Sequence, residues 1–150
     1  MRVFSTLDEV SAATGEELGT SDWLEIDQDR VDRFADATGD HQWIHVDVER
    51  SKDGPFGGTI AHGYLTLSLV PYLGGQVVSF ETPGAKLNYG ANKVRFPHPV
   101  LVGKRIRAHV ALADVADLPK GKQATLRYTI EIEGETKPAC VAETVVLLLP

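Results

Sequence analysis

A chain of 150 residues with 43% hydrophobic and 24% charged residues has the size and mix of one compact domain, enough to bury about 68–70% of its unfolded surface. Fifteen basic against 21 acidic residues leave a formal net charge of −6, which argues against a nucleic-acid partner. A lone cysteine, Cys140, excludes an internal disulfide and a Cys-rich zinc site, and fits a reducing, cytoplasmic setting. The first residues put acids where a signal peptide needs its apolar run. No stretch reaches the length of a membrane span, so the chain is expected to be soluble and free of membrane.

Thr6-Leu7-Asp8-Glu9 has capping-box spacing and predicts a short helix with Leu7, Val10 and Ala13 on one face, ended by Gly15. Extended chain over Trp23–Ile26 follows. Asp27 then caps a second helix, in which Val31, Phe34, Ala35 and Thr38 share a face and Gly39 supplies the left-handed terminus. Asp40 to Ile60 is rich in Gly, Pro, His and Asp and predicts a long irregular loop of functional character. Ala61 to Val70 predicts a helix apolar nearly all round and so buried on most sides, its length limited by Pro71 and Gly74-Gly75.

Beyond it the period changes from 3.6 to 2. Ile106, Ala108, Val110 and Leu112 alternate with Arg105, Arg107 and His109, and Leu126 to Glu133 alternate likewise, as half-exposed antiparallel strands do. Lys86–Phe96 and Lys137–Leu149 add two further strands, with turns near Gly121 and Gly134. One apolar helix before a strand-rich half predicts an α+β domain spanning residues 1–150, a curved antiparallel sheet wrapped around that helix.

His41, His45 and His62 gather with Asp40 and Asp47 around the loop and the start of the apolar helix. Loop histidines and aspartates often do no more than satisfy turn backbone groups. A metal site is disfavoured because Gly39 and the Gly/Pro run make a helical His41–His45 ligand pair unsuitable, and HExxH is absent. Ser68 lacks a nucleophile elbow, Cys140 has no nearby helix start, and the glycines at 54, 57 and 58 match no phosphate-binding loop. Acid–base chemistry by Asp40 and His45 remains, with charge stabilisation from the backbone at His62-Gly63, where glycine lets a carbonyl come close.

Phe34 to Asp47, F-A-D-A-T-G-D-H-Q-W-I-H-V-D, followed by Gly54 to Leu69, G-P-F-G-G-T-I-A-H-G-Y-L-T-L-S-L, resembles the signature of the MaoC-like dehydratases, the (R)-specific enoyl-CoA hydratases. Arg95 to Ile106 resembles the strand and turn that follow in that family, and the likeness runs from about Trp23 to Leu112. It implies a hotdog fold and reversible syn hydration of trans-2-enoyl thioesters to (3R)-hydroxyacyl thioesters in fatty acid metabolism. Coenzyme A or an acyl carrier protein would be the carrier, and a homodimer the assembly, with no metal or organic cofactor.

Carried over by position, Asp40 and His45 match the catalytic pair, with His45 as base and Asp40 as acid or the reverse. Gly63 matches the oxyanion-binding glycine. Gln42, His62, Tyr64, Ser68 and Arg95 are expected to bind or support the substrate. Gln42 and Trp43 depart from the family's Asn and Pro, which bears on loop shape and acyl fit. Arg95, Arg105, Arg107, Lys93 and Lys104 gather positive charge that could meet the phosphates of coenzyme A, or form an ordinary solvated strand face. Two other readings are a hotdog thioesterase, disfavoured because Ala61 to Gly74 carries no Asp or Glu, and a non-catalytic acyl-binding subunit, disfavoured by the joint presence of Asp40, His45 and Gly63.

Overall fold

The computed structural model describes residues 1–150. In chain order the elements are β1 (Arg2–Phe4), α1 (Leu7–Ala12), β2 (Glu17–Thr20), β3 (Leu24–Glu25), α2 (Gln28–Thr38), α3 (Trp43–Val46), α4 (Val48–Lys52), α5 (Gly63–Ser68), α6 (Val70–Gly74), β4 (Val78–Phe80), β5 (Lys86–Arg95), β6 (Arg105–Asp117), β7 (Lys122–Ile132) and β8 (Cys140–Leu148). The caps form as expected. Thr6 Oγ1 accepts from the Glu9 N–H while the Glu9 carboxylate accepts from the Thr6 N–H, and Asp27 Oδ1 accepts from the Arg30 N–H at 2.8 Å. Gly39 closes α2 at φ 78°, a conformation that side-chain-bearing residues adopt at a cost, and its N–H donates to the Ala35 carbonyl.

The main sheet runs β2-β6-β7-β8-β5, antiparallel throughout, with β3 continuing the β2 edge of β6. Alternation decides which side packs. Ile106, Ala108, Val110 and Leu112 of β6 and Leu126, Tyr128, Ile130 and Ile132 of β7 are buried, against Leu65, Leu69, Val70 and Leu73 of the central helical segment. Leu73 is wholly enclosed, a burial that contributes about 1.5–3 kcal/mol. On the opposite face Arg105 pairs with Glu133, and Arg107 and His109 pair with Glu131, so those two arginines are neutralised in a solvated strand face.

Three expectations are corrected. The central helix begins at Gly63 rather than Ala61 and divides at Leu69 into α5 and α6, because Pro71 cannot donate to the carbonyl four residues before it. It is also not enclosed on most sides: Tyr64 and Tyr72 are 70% and 57% exposed, and Ser68 is exposed too. The stretch after Asp40 holds two short helices, α3 and α4, the latter capped by Asp47 through the Arg50 N–H. A parallel pair, β1 with β4, was not anticipated; it straps the N-terminus down by stacking Phe4 on Phe80 at 5.7 Å.

Candidate active site

The end of α2, the short helix α3 and the start of α5 bring Asp40, His45 and His62 together, with one ligand-type atom of each lying within 4.8 Å of the others. The other two members of the sequence cluster stand apart. His41 pairs with Asp36 on the surface, an interaction that raises its pKa, and Asp47 is a helix cap.

His45 is 7% exposed, and its Nδ1 lies 2.7 Å from the Ile60 carbonyl. A carbonyl only accepts, so Nδ1 carries the proton and Nε2 keeps its lone pair. Burial holds the His45 pKa below the ordinary imidazole value, the Ile60 carbonyl and Asp40 oppose that, and the neighbouring His62 adds to it. Near neutral pH the ring is therefore uncharged, with a free basic nitrogen.

His62, 2% exposed, is the N-cap residue of α5 and stacks on His45 with ring centroids 3.8 Å apart and planes at 21°. Its Nε2–H donates to the Asp40 carbonyl at 2.9 Å, leaving Nδ1 buried without a partner. Phe34 tilts against the other side of the ring at 4.9 Å. Asp40 itself is exposed and accepts from the Gln42 N–H at 3.3 Å.

A hollow of about 310 Å³ opens beside His45, walled by Gly63 and Thr66 of α5 and by Phe56, Phe96 and His98. As the first residue of α5, Gly63 has no intrahelical acceptor for its N–H. A Cβ at this position would come to 3.0 Å from the Phe96 ring and crowd it, whereas glycine leaves the backbone N–H open to a close approach. These parts can take a proton from water, deliver one nearby and hold a developing oxyanion.

The other expected support residues are placed differently. Gln42 is the exposed N-cap position of α3 and makes no side-chain cap. Tyr64 stands edge-on to Phe96 at 6.2 Å, on the rim. Ser68 Oγ donates to the Tyr64 carbonyl at 2.6 Å, so its hydroxyl is engaged within the helix. Arg95 faces the other side of the sheet, where it shares a hollow with Lys93, Arg127 and Glu143. Trp43 sits at the first position of α3, where proline is also welcome, and is held by the Arg50 guanidinium 4.1 Å above its ring.

Sequence reasoning missed Phe96 and His98, whose pattern resembles any strand end. It also missed Gln28, which donates to the His45 carbonyl and to Asp32 and accepts from Thr59 Oγ1. Nothing in the local pattern marks Gln28, because its partners at the site, the His45 carbonyl and Thr59, lie 17 and 31 residues away. The Asp40–His45–His62 group has the composition of a metal site but fits one poorly. In-plane lone pairs of face-stacked imidazoles lie in nearly parallel planes 3.8 Å apart, and do not converge on one ion at about 2.0–2.1 Å.

The fold is a hotdog, and comparison with known proteins puts the chain among the hydro-lyases. Residues 9–133 match the MaoC like domain, and the chain belongs to that family. It is 55% identical over 147 residues to 3-hydroxyacyl-thioester dehydratase Z of Mycobacterium tuberculosis, covering 97% of each chain. It is 43% identical to nodulation protein N of Rhizobium leguminosarum bv. viciae, covering 95% and 91%. Among solved structures it resembles the (R)-hydratase from A. caviae involved in PHA biosynthesis, with a TM-score of 0.71 and 29% identity over 90% of this chain and 98% of that one.

Proposed function

We propose that this protein is an (R)-specific enoyl-thioester hydratase, equally a (3R)-hydroxyacyl-thioester dehydratase, a hydro-lyase acting on trans-2-enoyl thioesters. The observation that carries the reading is a buried, uncharged His45 with a free Nε2, close to Asp40 and opening on the hollow that Gly63 lines. In the hydration direction His45 Nε2 takes a proton from water as the water oxygen bonds to C3. The charge that develops on the thioester oxygen rests on the Gly63 N–H, and Asp40 protonates C2 from the same side. The proton taken and the proton given sum to one water, and transfer within the pair restores the starting state. The assignment of base and acid can be exchanged between the two residues, since a coupled pair titrates as a unit.

The thioesterase reading lacks a helix carboxylate, since Ala61 to Gly74 carries neither Asp nor Glu. The substrate is read as a coenzyme A thioester, or one on an acyl carrier protein. The protein is read as a cytoplasmic homodimer; no helix is long and apolar enough to cross a membrane. Support for the dimer comes from β5, which pairs only with β8 and is exposed along almost its whole length, Leu87 and Tyr89 included. Loss of enoyl absorbance with crotonyl-coenzyme A, without release of free thiol, tests the reaction. Coupling to an enantiomer-specific dehydrogenase tests the 3R configuration, and a 3S product or thiol release would overturn the reading.

A further inference from the structure

A second hollow, of about 390 Å³, lies further along the central helical segment, between it and strands β5 and β8. Leu67, Val70 and Val146 make most of its wall apolar, while Asn88, Tyr128 and Thr144 put polar atoms into it. Of these Tyr128 is the most informative. It is 5% exposed and burial pushes its phenol up to about 12, while its hydroxyl makes no hydrogen bond within the chain and is not sealed from solvent, so its free polar end is open to the hollow. Space has been left for that phenol: a Cβ on Gly74 would come within 2.6 Å of Tyr128 Oη, so a glycine at this point of α6 is what admits it. A phenol whose ring is packed and whose hydroxyl has no partner in the chain is free to bond whatever occupies the hollow. Phenylalanine would fill the same wall without offering that hydroxyl.

Gly63 and Thr66 line the catalytic hollow and Leu67 and Val70 this one, and the i, i+3, i+4, i+7 spacing puts all four on one side of the helical segment. At about 1.5 Å per helical residue, Leu67 and Val70 lie about 6 and 10 Å beyond Gly63. An extended chain advances about 1.2 Å per bond, so an acyl group with its carbonyl at Gly63 would bring its carbons from about C6 to C10 into the hollow. Resting on the hydratase reading of the site, we infer that this hollow selects acyl thioesters carrying an oxygen function, a hydroxyl or carbonyl, within that span. The group would hydrogen-bond Tyr128 Oη, with Asn88 and Thr144 as the other polar groups at hand. A mostly apolar pocket with a few placed polar groups is the form that such recognition takes.

The test compares kcat/KM for plain trans-2-decenoyl-coenzyme A with its analogues bearing a hydroxyl or oxo group at each carbon from C6 to C10. Crotonyl-coenzyme A, too short to reach the hollow, serves as the control. The expected result is a preference of about three- to tenfold for an oxygenated chain at one or two adjacent positions, the worth of one neutral hydrogen bond. Tyr128→Phe should abolish that preference while leaving crotonyl turnover unchanged. Equal rates for plain and oxygenated chains at every position, or a Tyr128→Phe effect equal on all substrates, would overturn the inference. Were Tyr128→Phe to misfold, the wild-type series alone decides. If crotonyl-coenzyme A is hydrated but no preference exists, only this inference fails; if it is not hydrated, the hydratase reading fails and takes this one with it.

Discussion

His62 joins both catalytic candidates at once: its ring lies 3.8 Å from that of His45, and its Nε2–H holds the Asp40 carbonyl at 2.9 Å. It thereby sets the relative position of the base and the carboxylate without facing the hollow itself. His62→Phe keeps an aromatic plane and removes the tie to Asp40. Its kcat should fall about 5- to 100-fold, the range for a buried hydrogen bond lost with its partner left unpaired, with KM little changed. Because His62 also lowers the His45 pKa, the acid limb of the rate profile should move upward in the variant. A purely structural role for His62 would leave that limb where it is.

Asp40→Asn and His45→Gln should each lower hydration by about 10²–10⁴-fold with circular dichroism unchanged, since each removes a proton-transfer group at nearly constant volume. The double variant should be little worse than the poorer single one, because both act in one step. A single variant keeping more than about a tenth of the rate would remove that residue from the proton path.

The depressed His45 pKa has a pH consequence of definite sign. The ring must be neutral to act as base, so kcat/KM should hold down through about pH 6.5, the ordinary imidazole value, and fall only below it. Stability follows the same direction. Below that value the unfolded chain binds more protons than the folded one at this site, so the contribution present above it is lost as pH falls through the folded pKa. Titration of the His45 ring by NMR measures the shift, and a pKa above the ordinary value would contradict it.

Gly63→Ala places a methyl against the Phe96 ring and narrows the approach to the backbone N–H. Activity should fall about 10²-fold through misplacement of the thioester. Phe96 is 41% exposed and removable, so Phe96→Ala in the same chain should restore part of the rate. No recovery would mean that the methyl acts on the ligand directly.

Light scattering at micromolar concentration should report twice the 16.3 kDa chain mass. Lysines at Leu87 and Tyr89, on the exposed edge strand, should shift the population to monomer. A fully active wild-type monomer would overturn the homodimer.

The features legible in the sequence are those governed by neighbours along the chain. The Thr6–Glu9 capping box, the Asp27 cap, the Gly39 terminus and the alternation in β6 and β7 depend on contacts a few residues apart, and all form where the pattern puts them. The spacing of Asp40, His45 and Gly63 was likewise visible, because a loop and a helix start lie on one short stretch of chain. Tertiary structure alone decided which histidines meet. His41 is next to Asp40 in the chain and His45 lies five residues on, yet α3 turns His45 inward, to the Ile60 carbonyl that fixes its tautomer, and leaves His41 on the surface. Whether a side chain finds a distant carbonyl, a stacked ring or an apolar wall depends on elements brought together from far along the chain. That is why the tie between His62 and Asp40, the closeness of Phe96 to Gly63 and the unpaired Tyr128 hydroxyl had no signal in the sequence.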